Sequence, residues 1–192
     1  MAIKEENEIT VRVMCSDEEL KRILSQKGFK ACREFSLDDY YLIPKDIEIE
    51  NLTTREILAK AVIVRDWRFD GKIVQMILFK SKNINEKGEI INQKSVGCDV
   101  LDIKTAISLF EALGYNLIMN IKENSIVYSK DKLEMAVKFI ENSNTLIEIE
   151  TDEYFETVEE LKELVQEIDL PIEKGNFFVK KAEDALDKIL KR

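Results

Sequence analysis

Two short segments near opposite ends of the chain alternate acidic residues with apolar ones. Glu6 and Glu8 stand before Ile9 in the first, and Glu148 and Glu150 belong to the second. A period of two residues is the period of a β-strand, so each glutamate pair shares one face of its strand. Acidic strand faces from remote parts of the chain predict a carboxylate cluster inside a closed sheet. Such a cluster can hold a hard divalent cation.

Turn and capping signals divide the rest of the chain into hairpins and helices. Asp70-Gly71 between two apolar runs is a strong hairpin signal. The predicted strands cover residues 6–14, 31–42, 61–69, 72–82, 89–100, 116–129, 132–140 and 145–151. The predicted helices cover residues 16–28, 53–59, 102–113, 158–168 and 179–191. We therefore expect an α+β fold, an eight-stranded antiparallel β-barrel with flanking helices, in which residues 1–192 form a single domain.

The composition excludes several kinds of site. The chain contains no histidine, which removes the commonest general base and the usual zinc ligand. The three cysteines, Cys15, Cys32 and Cys98, show no metal-ligand spacing and are expected to be free thiols. Any metal must then be bound by oxygen, so Mg²⁺, Mn²⁺ and Ca²⁺ are the candidates.

The charge and hydropathy patterns restrict the partners. A net charge of −9 argues against a dedicated surface for nucleic acid or for an anionic membrane. No apolar run approaches the ~20 residues that span a bilayer, and the charged amino terminus lacks a signal-peptide pattern. We expect a cytoplasmic protein that binds neither nucleic acid nor membrane.

Single cations recur on the strands that lie between the two acidic segments. They are Arg65, Lys80, Lys122 and Lys138, and Arg12 shares a strand face with Glu8. Each alone is typical of a solvated surface charge, but their recurrence suggests a common lining. Inward-facing cations would bind a highly charged anion such as a triphosphate. Inward-facing carboxylates would bind Mg²⁺ or Mn²⁺, which bridges to the same phosphates.

Seven motifs follow one another along nearly the whole chain. They are Glu6-Asn7-Glu8-Ile9-Thr10, Asp38-Asp39-Tyr40-Tyr41 with Pro44, Ala61-Val62-Ile63-Val64-Arg65, Leu78-Phe79-Lys80, Leu109-Phe110-Glu111-Ala112-Leu113-Gly114-Tyr115, Lys122-Glu123-Asn124 with Tyr128, and Leu146-Ile147-Glu148-Ile149-Glu150. In this order they resemble the ExExK, DxYF…P, LRIR, LTYK, LLExLGF, KxRxxY and FxEIE signatures of the CYTH superfamily. That superfamily comprises class IV adenylate cyclases, thiamine triphosphatases and the wider triphosphate tunnel metalloenzymes.

The resemblance implies an eight-stranded antiparallel tunnel that holds a triphosphate-bearing small molecule together with Mg²⁺ or Mn²⁺. The metal ligands would be Glu6 and Glu8 with Glu148 and Glu150 of the last strand. The phosphate-binding residues would be Arg65, Lys80, Lys122 and Arg12. No residue is assigned as catalytic. A homodimer is also compatible with the resemblance.

Several signature positions depart from the family pattern. Thr10 replaces a lysine, Ile63 and Asn124 replace arginines, and Lys138 stands where an aspartate is expected. The segment 93–98 lacks the arginine and glutamate pattern of its family counterpart. Each lost charge-assisted contact would weaken ligand binding by about 1.5–3 kcal/mol.

Three functional hypotheses remain open from the sequence. The first is an enzyme that hydrolyses a nucleotide or inorganic triphosphate, or that cyclises ATP. The second is a catalytically degenerate tunnel that binds a phosphorylated or anionic small molecule without turnover. The third is a scaffold whose polar residues only confer solubility. Trp67 is interpreted as packing, and Lys180 and Lys181 as solvated unless the last helix brings them to the anion.

Overall fold

The fold is a single antiparallel sheet with helices packed around it. The computed structural model describes residues 4–6, 8–84 and 90–191, and the side chains of residues 8–81 and 94–191. The strands are β1 (Lys4–Glu6), β2 (Glu8–Arg12), β3 (Lys30–Pro44), β4 (Val62–Phe69), β5 (Lys72–Ile84), β6 (Ile90–Asp99), β7 (Tyr115–Lys130), β8 (Leu133–Ile140) and β9 (Leu146–Glu150). Asp70 and Gly71 both have positive φ and turn β4 into β5, as the hairpin signal predicts.

The strand order of the sheet is β1-β6-β5-β4-β3-β7-β8-β9-β2, and every neighbouring pair is antiparallel. The predicted first strand, 6–14, is divided in the structure, because β1 pairs with β6 whereas β2 pairs with β9. The two edge strands are thus consecutive in the chain. The described sheet nevertheless has two edges. The predicted eight-stranded barrel is therefore confirmed only as an antiparallel sheet with flanking helices.

Five α-helices connect and cover the strands in the described part of the chain. They are α1 (Asp17–Gln26), α2 (Thr54–Leu58), α3 (Ile103–Ala112), α4 (Val158–Ile168) and α5 (Lys181–Leu190), and a 3-10 turn covers Ile49–Asn51. Ser16, Thr53 and Thr157 each accept a hydrogen bond from the backbone amide three residues later, which fixes the starts of α1, α2 and α4. No helix among the described residues is long and apolar enough to cross a membrane.

The helices pack on both faces of the sheet: α1, α3 and α4 cover the outer face, and α2 and α5 cover one end of the inner face beside a cavity. α1 and α4 insert Leu20, Leu24 and Leu161 between themselves and Ile9 and Val11 of β2. Burial of such side chains stabilises the fold by about 1.5–3 kcal/mol each. Because side chains alternate along a strand, Glu8 and Thr10 of the same strand point away from this core. The polar residues are therefore held in place by the packing of their apolar neighbours.

The start of α5 is tied to β2 by backbone hydrogen bonds. The amide of Thr10 donates to the carbonyl of Phe177 at 2.8 Å, and the amide of Val179 donates to the carbonyl of Thr10 at 3.0 Å. α5 consequently begins at Lys181, two residues after the predicted start. This pairing covers part of the free edge of β2 and brings Lys180 and Lys181 next to the sheet.

Candidate functional site

A cavity of about 570 Å³ lies against the inner face of the sheet, beside the start of α5. Strands β2 to β6, β8 and β9 contribute to its lining, together with residues 179–182 before and at the start of α5. Strands that are far apart in the sheet order, such as β6 and β9, line the same space, so the sheet curves around it. Of the residues predicted to form a site, Glu8, Arg65, Lys80, Glu148 and Glu150 line this cavity.

Three glutamates converge at one side of the cavity. The antiparallel register pairs Glu8 with Glu150 and Thr10 with Glu148, which places the acidic faces of β2 and β9 side by side. One carboxylate oxygen from each of Glu8, Glu148 and Glu150 lies within 4.8 Å of the others. The predicted approach of the two acidic segments is thus observed for these three residues. The side chain of Glu6, the fourth predicted ligand, lies outside the described residues.

Two lysines contact the acidic cluster. The ammonium group of Lys138 forms a short ion pair with Glu148, and that of Lys180 lies 3.6 Å from Glu8. Burial alone would lower the pKa of Lys138, but Glu148 and Glu123 raise it overall, so Lys138 stays protonated. The donor set is carboxylate oxygen only, which suits Mg²⁺ or Mn²⁺. The lysines would compete with a metal for Glu148 and Glu8.

A buried network of charges lies behind a second part of the cavity wall, to which Arg65 and Lys181 contribute their side chains. Arg65 makes a bidentate ion pair with Asp39, with N–O distances of 2.6 and 2.8 Å. Lys181 donates at 3.1 Å to Oδ2 of Asp39, which also accepts from Arg65, and it donates to Glu123 at 2.8 Å. Ser125 donates its hydroxyl hydrogen to Glu123 at 2.7 Å. A planar bidentate pair of this kind fixes the orientation of the guanidinium group and also neutralises its charge.

The charges of the network shift the pKa values of its own members and of the neighbouring Tyr41. Burial alone would raise the pKa of Asp39, but Lys181 and Arg65 hold it far below its usual range. The pKa of Glu123 is also lowered, because Lys138 and Lys181 outweigh the effect of burial. Burial next to Asp39 raises the pKa of Tyr41 to about 12. All four charged members therefore remain ionised near neutral pH.

Lys80 differs from the other cations of the cavity. Its ammonium group makes no ion pair or hydrogen bond with any residue that the structure describes. Burial lowers the pKa of Lys80, and the positive charge of Arg65 lowers it further. Because it has no partner among the described residues, the ammonium group of Lys80 is available to bind an anion that enters the cavity.

Two of the four predicted phosphate-binding cations are not at the cavity. Lys122 is exposed on the opposite face of β7 from Glu123 and lines an outer groove with Asp66 and Arg68. Arg12 pairs with Glu173 at 2.9 Å and with Asp184 at 2.7 Å, and it lines a separate pocket. The expectation that Lys122 and Arg12 share one site with Arg65 and Lys80 is corrected. Lys122 lies outside the cavity because its side chain is on the outer face of β7. Arg12 is held elsewhere by its ion pairs with Glu173 and Asp184.

The sequence interpretation missed several residues of the site. Asp39, Glu123, Lys180 and Lys181 were not assigned to it, and the two lysines were interpreted as solvated unless the last helix brought them to the site. A signal for Glu123 exists, because Met119, Ile121 and Val127 have the same parity along β7 and are buried. That parity places Glu123 and Ser125, not Lys122 and Asn124, on the inner face. No local signal marks the lysines, since their position depends on the docking of α5.

The sheet order, the helices and the lined cavity define a known fold. The PH1819 protein of Pyrococcus horikoshii superposes with a TM-score of 0.69 over 96% of this chain and 99% of that chain, at 18% identity. A candidate adenylate cyclase of Vibrio parahaemolyticus superposes with a TM-score of 0.59 over 98% of this chain and 99% of that one, at 13% identity.

A plant protein has the same fold. HpAC1 of Hippeastrum, described as a candidate adenylyl cyclase with a dominant triphosphatase activity, gives a TM-score of 0.59 at 12% identity and covers 95% of each chain. These similarities confirm the CYTH-type fold that the motifs implied. No protein-family model matches the chain. No curated protein matches it in sequence either.

Proposed function

We propose that the cavity binds a triphosphate compound together with Mg²⁺ or Mn²⁺ and hydrolyses it. The observation that carries the proposal is the position of Lys80, an unpaired and desolvated cation that shares the cavity with three convergent carboxylates. The charges suit both parts of such a ligand, since the carboxylates provide oxygen ligands and the cation provides a phosphate contact.

The proposal includes closure of the sheet into a tunnel. β1 and β2 occupy the two edges of the described sheet and are adjacent in the chain. A single strand that changes partner, from β6 to β9, would join the two edges through covalent continuity. A closed barrel has no free edge and encloses its inner face.

A metal ion in this cavity would be held by Glu8, Glu148 and Glu150, with Glu6 as a further proposed ligand. When bound, Mg²⁺ or Mn²⁺ would neutralise phosphate oxygens and activate a water molecule. Lys138 and Lys180 would then release the carboxylates and turn towards the phosphates. Lys80 would donate to a phosphate oxygen directly, and Arg65, held by Asp39, would add positive potential behind it.

Hydrolysis requires less of this chain than cyclisation does. Phosphoryl transfer depends mainly on positioning and on neutralising charge, so the absence of histidine is no obstacle. Cyclisation of ATP would also require the ribose hydroxyl to be aligned with its own α-phosphate. The triphosphatase activity named for HpAC1 favours hydrolysis as well.

A catalytically inactive binding protein is the second candidate. The contacts of Lys138 with Glu148 and of Lys180 with Glu8 favour it, because the lysines neutralise two of the three proposed metal ligands. In this case the ion pairs would persist in the complex and an anionic small molecule would bind without metal.

The two candidates are separated by an assay with ATP, tripolyphosphate and thiamine triphosphate in the presence of Mn²⁺, combined with calorimetric titration of Mn²⁺ alone. We expect turnover of at least one compound. The Glu150→Gln substitution should reduce both turnover and Mn²⁺ affinity by more than about tenfold, the loss caused even by removing groups that only orient metal ligands. Glu150 is the exposed member of the three, so the substitution buries no new polar group.

The matched control is Glu163→Gln on the outer face of α4, which should change neither quantity. Binding of tripolyphosphate without turnover, and with the same affinity in the presence and absence of Mn²⁺, would support the binding protein instead. Failure of all three compounds to bind would reject both candidates.

A further inference from the structure

Two lysines from different elements reach the three convergent glutamates of the cavity. Lys138 lies on β8 two residues after Ala136, the partner of Glu148 in β9, and its ammonium group is paired with Glu148. Lys180 precedes α5, and its ammonium group lies 3.6 Å from Glu8. Only 11% of the Lys138 side chain and 9% of the Lys180 side chain are accessible to solvent. Both ammonium groups are therefore held inside the cavity, next to the proposed metal ligands.

The ammonium group of Lys180 makes no hydrogen bond with any residue that the structure describes. Its contact with Glu8 is longer than a hydrogen bond. The backbone beside it is fixed, because the amide of Val179 donates to the carbonyl of Thr10 in β2 at 3.0 Å. A buried donor without an acceptor destabilises the fold. Such a group, placed at a cavity, points to an acceptor that a ligand supplies.

A metal ion on the three glutamates would have to displace both lysines. A divalent cation bound by Glu8 and Glu148 would lie beside the two ammonium groups, and like charges a few ångströms apart repel each other. The side chains of Lys138 and Lys180 are almost completely shielded from water, so a displaced ammonium group would lack both water and a counter-ion. An unpaired charge in such a place is unfavourable. We therefore expect the metal alone to bind weakly.

A polyphosphate without metal would meet the opposite difficulty. Lys138 and Lys180 would remain next to carboxylates, and those carboxylates repel phosphate oxygens. When both ligands are present, the metal can bind the carboxylates and the released lysines can turn to the phosphate oxygens. Every charge of this group then has a partner of opposite sign, and charge-assisted hydrogen bonds can form. Each ligand thus favours the binding of the other through the same two side chains.

We propose that Lys138 and Lys180 couple the binding of the metal ion to the binding of the phosphate anion. In the free protein the two lysines neutralise Glu148 and Glu8, and in the complex they exchange these carboxylates for phosphate oxygens. Coupling of this kind is reciprocal, so each ligand raises the affinity for the other by the same factor. This inference rests on the proposed function, because it takes the three glutamates as metal ligands and a triphosphate as the anion.

The coupling is measured by calorimetry on the wild-type protein. Mn²⁺ and tripolyphosphate are each titrated alone and in the presence of the other, with a correction for the complex that the two form in solution. We expect each ligand to bind about 5- to 150-fold more tightly when the other is present, the usual range of such coupling. Affinities that do not depend on the second ligand would overturn the inference. Direct contact between metal and phosphate also contributes to the factor, so substitutions must isolate the lysines.

Lys180→Met removes one of the two competing charges and keeps the apolar part of the side chain. Mn²⁺ alone should bind this variant at least about fivefold more tightly than the wild type, the lower limit of the coupling range, and the coupling factor should fall. The variant should fold, because the ammonium group of Lys180 makes no hydrogen bond with the described residues. Lys138→Met should change both quantities in the same direction. The matched control is Lys122→Met on the outer face of β7, which should change neither.

The outcomes separate this inference from the proposed function. If Mn²⁺ alone binds Lys180→Met and Lys138→Met no more tightly than the wild type, the lysines do not compete with the metal. That result would overturn the inference and leave metal-dependent triphosphate binding intact. A coupling factor that is unchanged in both variants would overturn it as well, because direct contact between the two ligands would then account for the factor. If the wild-type protein binds neither Mn²⁺ nor tripolyphosphate, the proposed function fails, and the inference fails with it.

Discussion

Lys80 is a side chain that lowers the stability of the folded protein and is available to bind a ligand. Lys80 is half-buried, and its ammonium group has no partner among the described residues. Its partial desolvation destabilises the fold, and its lowered pKa expresses that cost. Arg65, by contrast, is neutralised by Asp39 and contributes to structure as well as to potential. Of the two predicted phosphate-binding cations at the cavity, Lys80 is therefore the one whose removal should affect binding more than folding.

Replacing Lys80 by methionine should separate these two effects. The free energy of unfolding should stay the same or rise, because the substitution removes a desolvated charge and keeps the side-chain volume. The affinity for tripolyphosphate should fall by about 1.5–3 kcal/mol, the value of a hydrogen bond to a charged group. Urea denaturation and calorimetry measure the two quantities.

Lys122→Met provides the control for Lys80→Met, because Lys122 is exposed on the outer face of β7. It should leave tripolyphosphate affinity unchanged. Equal losses in the two variants would mean that the cations act only through the net charge of the protein.

Asp39 should make stability depend on acid pH. Its folded-state pKa is depressed by Lys181 and Arg65, so its contribution is complete above the unfolded value of about 3.9 and is lost as pH falls below that value. Asp39→Asn should lower the free energy of unfolding by about 3–5 kcal/mol at pH 7, since it leaves buried charges unpaired. The difference from wild type should narrow between pH 4 and pH 3 in urea unfolding.

The neighbouring substitution Asp38→Asn is the control for Asp39→Asn. Asp38 lies on the other face of β3, where its two carboxylate oxygens accept from Tyr40 and from Asn120, so asparagine keeps one of these two acceptors and leaves the buried network of Asp39 untouched. A pH-independent difference between wild type and Asp39→Asn would contradict the depressed pKa.

At the scale of single elements, β6 depends on a glycine. A Cβ atom on Gly97 would lie 2.6 Å from Cδ2 of Leu78 and 2.7 Å from the carbonyl oxygen of Ile77. Leu78 can rotate away, but the carbonyl belongs to the backbone of β5 and cannot move without disturbing the ladder. The close contact between these two strands therefore requires the absence of a side chain.

Gly97→Ala should destabilise the protein by about 1–3 kcal/mol, the usual cost of overpacking. The shift would be measured as a lower urea midpoint with an unchanged slope. Ser95→Ala, on the same face of β6, is the comparison and should cost less. A neutral Gly97→Ala variant would mean that β5 and β6 separate more easily than their register indicates.

The element scale also shows where local patterns are sufficient. α4 covers Val158–Ile168 as predicted, because Thr157 and Glu160 form a complete capping box and the apolar period continues from it. The start of α5 was placed two residues early. The apolar period includes Val179, but the backbone amide of Val179 is committed to Thr10 of β2. A hydrogen bond from a distant strand thus decided that boundary.

At the scale of the whole molecule, the proposed closure of the cavity depends on β1 and β2, which lie at the two edges of the described sheet. Removal of residues 1–6 eliminates β1 and exposes the edge of β6. We expect the amides of β6 to exchange hydrogen faster in this truncated protein, while those of β7 and β8 at the centre of the sheet keep their protection. Hydrogen-exchange mass spectrometry measures both. Unchanged exchange in β6 would contradict the proposed role of β1 in closure.

Metal binding should be visible in global stability. A ligand that binds only the folded state stabilises it by about 2.7 kcal/mol at a concentration 100 times its Kd. Mn²⁺ should therefore raise the Tm of the wild-type protein in a concentration-dependent way and have little effect on Glu150→Gln. Equal shifts in the two proteins would place the bound metal elsewhere.

The order of the strands along the chain, the starts of α1, α2 and α4 and the acidic faces of β2 and β9 followed from the sequence alone. These features depend on side-chain alternation and on capping contacts within a few residues, which the sequence displays directly. The separation of the first strand into β1 and β2 did not follow, because the change of partner depends on where β6 and β9 lie in space.

The composition of the site was decided by tertiary structure. Lys181 meets Asp39 across 142 positions of the chain and Glu123 across 58, and no local pattern encodes those contacts. Lys122 of β7 was predicted to face inward, but the folded chain buries Glu123 in its place. Charges are placed by the packing of the apolar residues beside them, so the sequence determined which strands carry charge and the folded chain determined which charges meet.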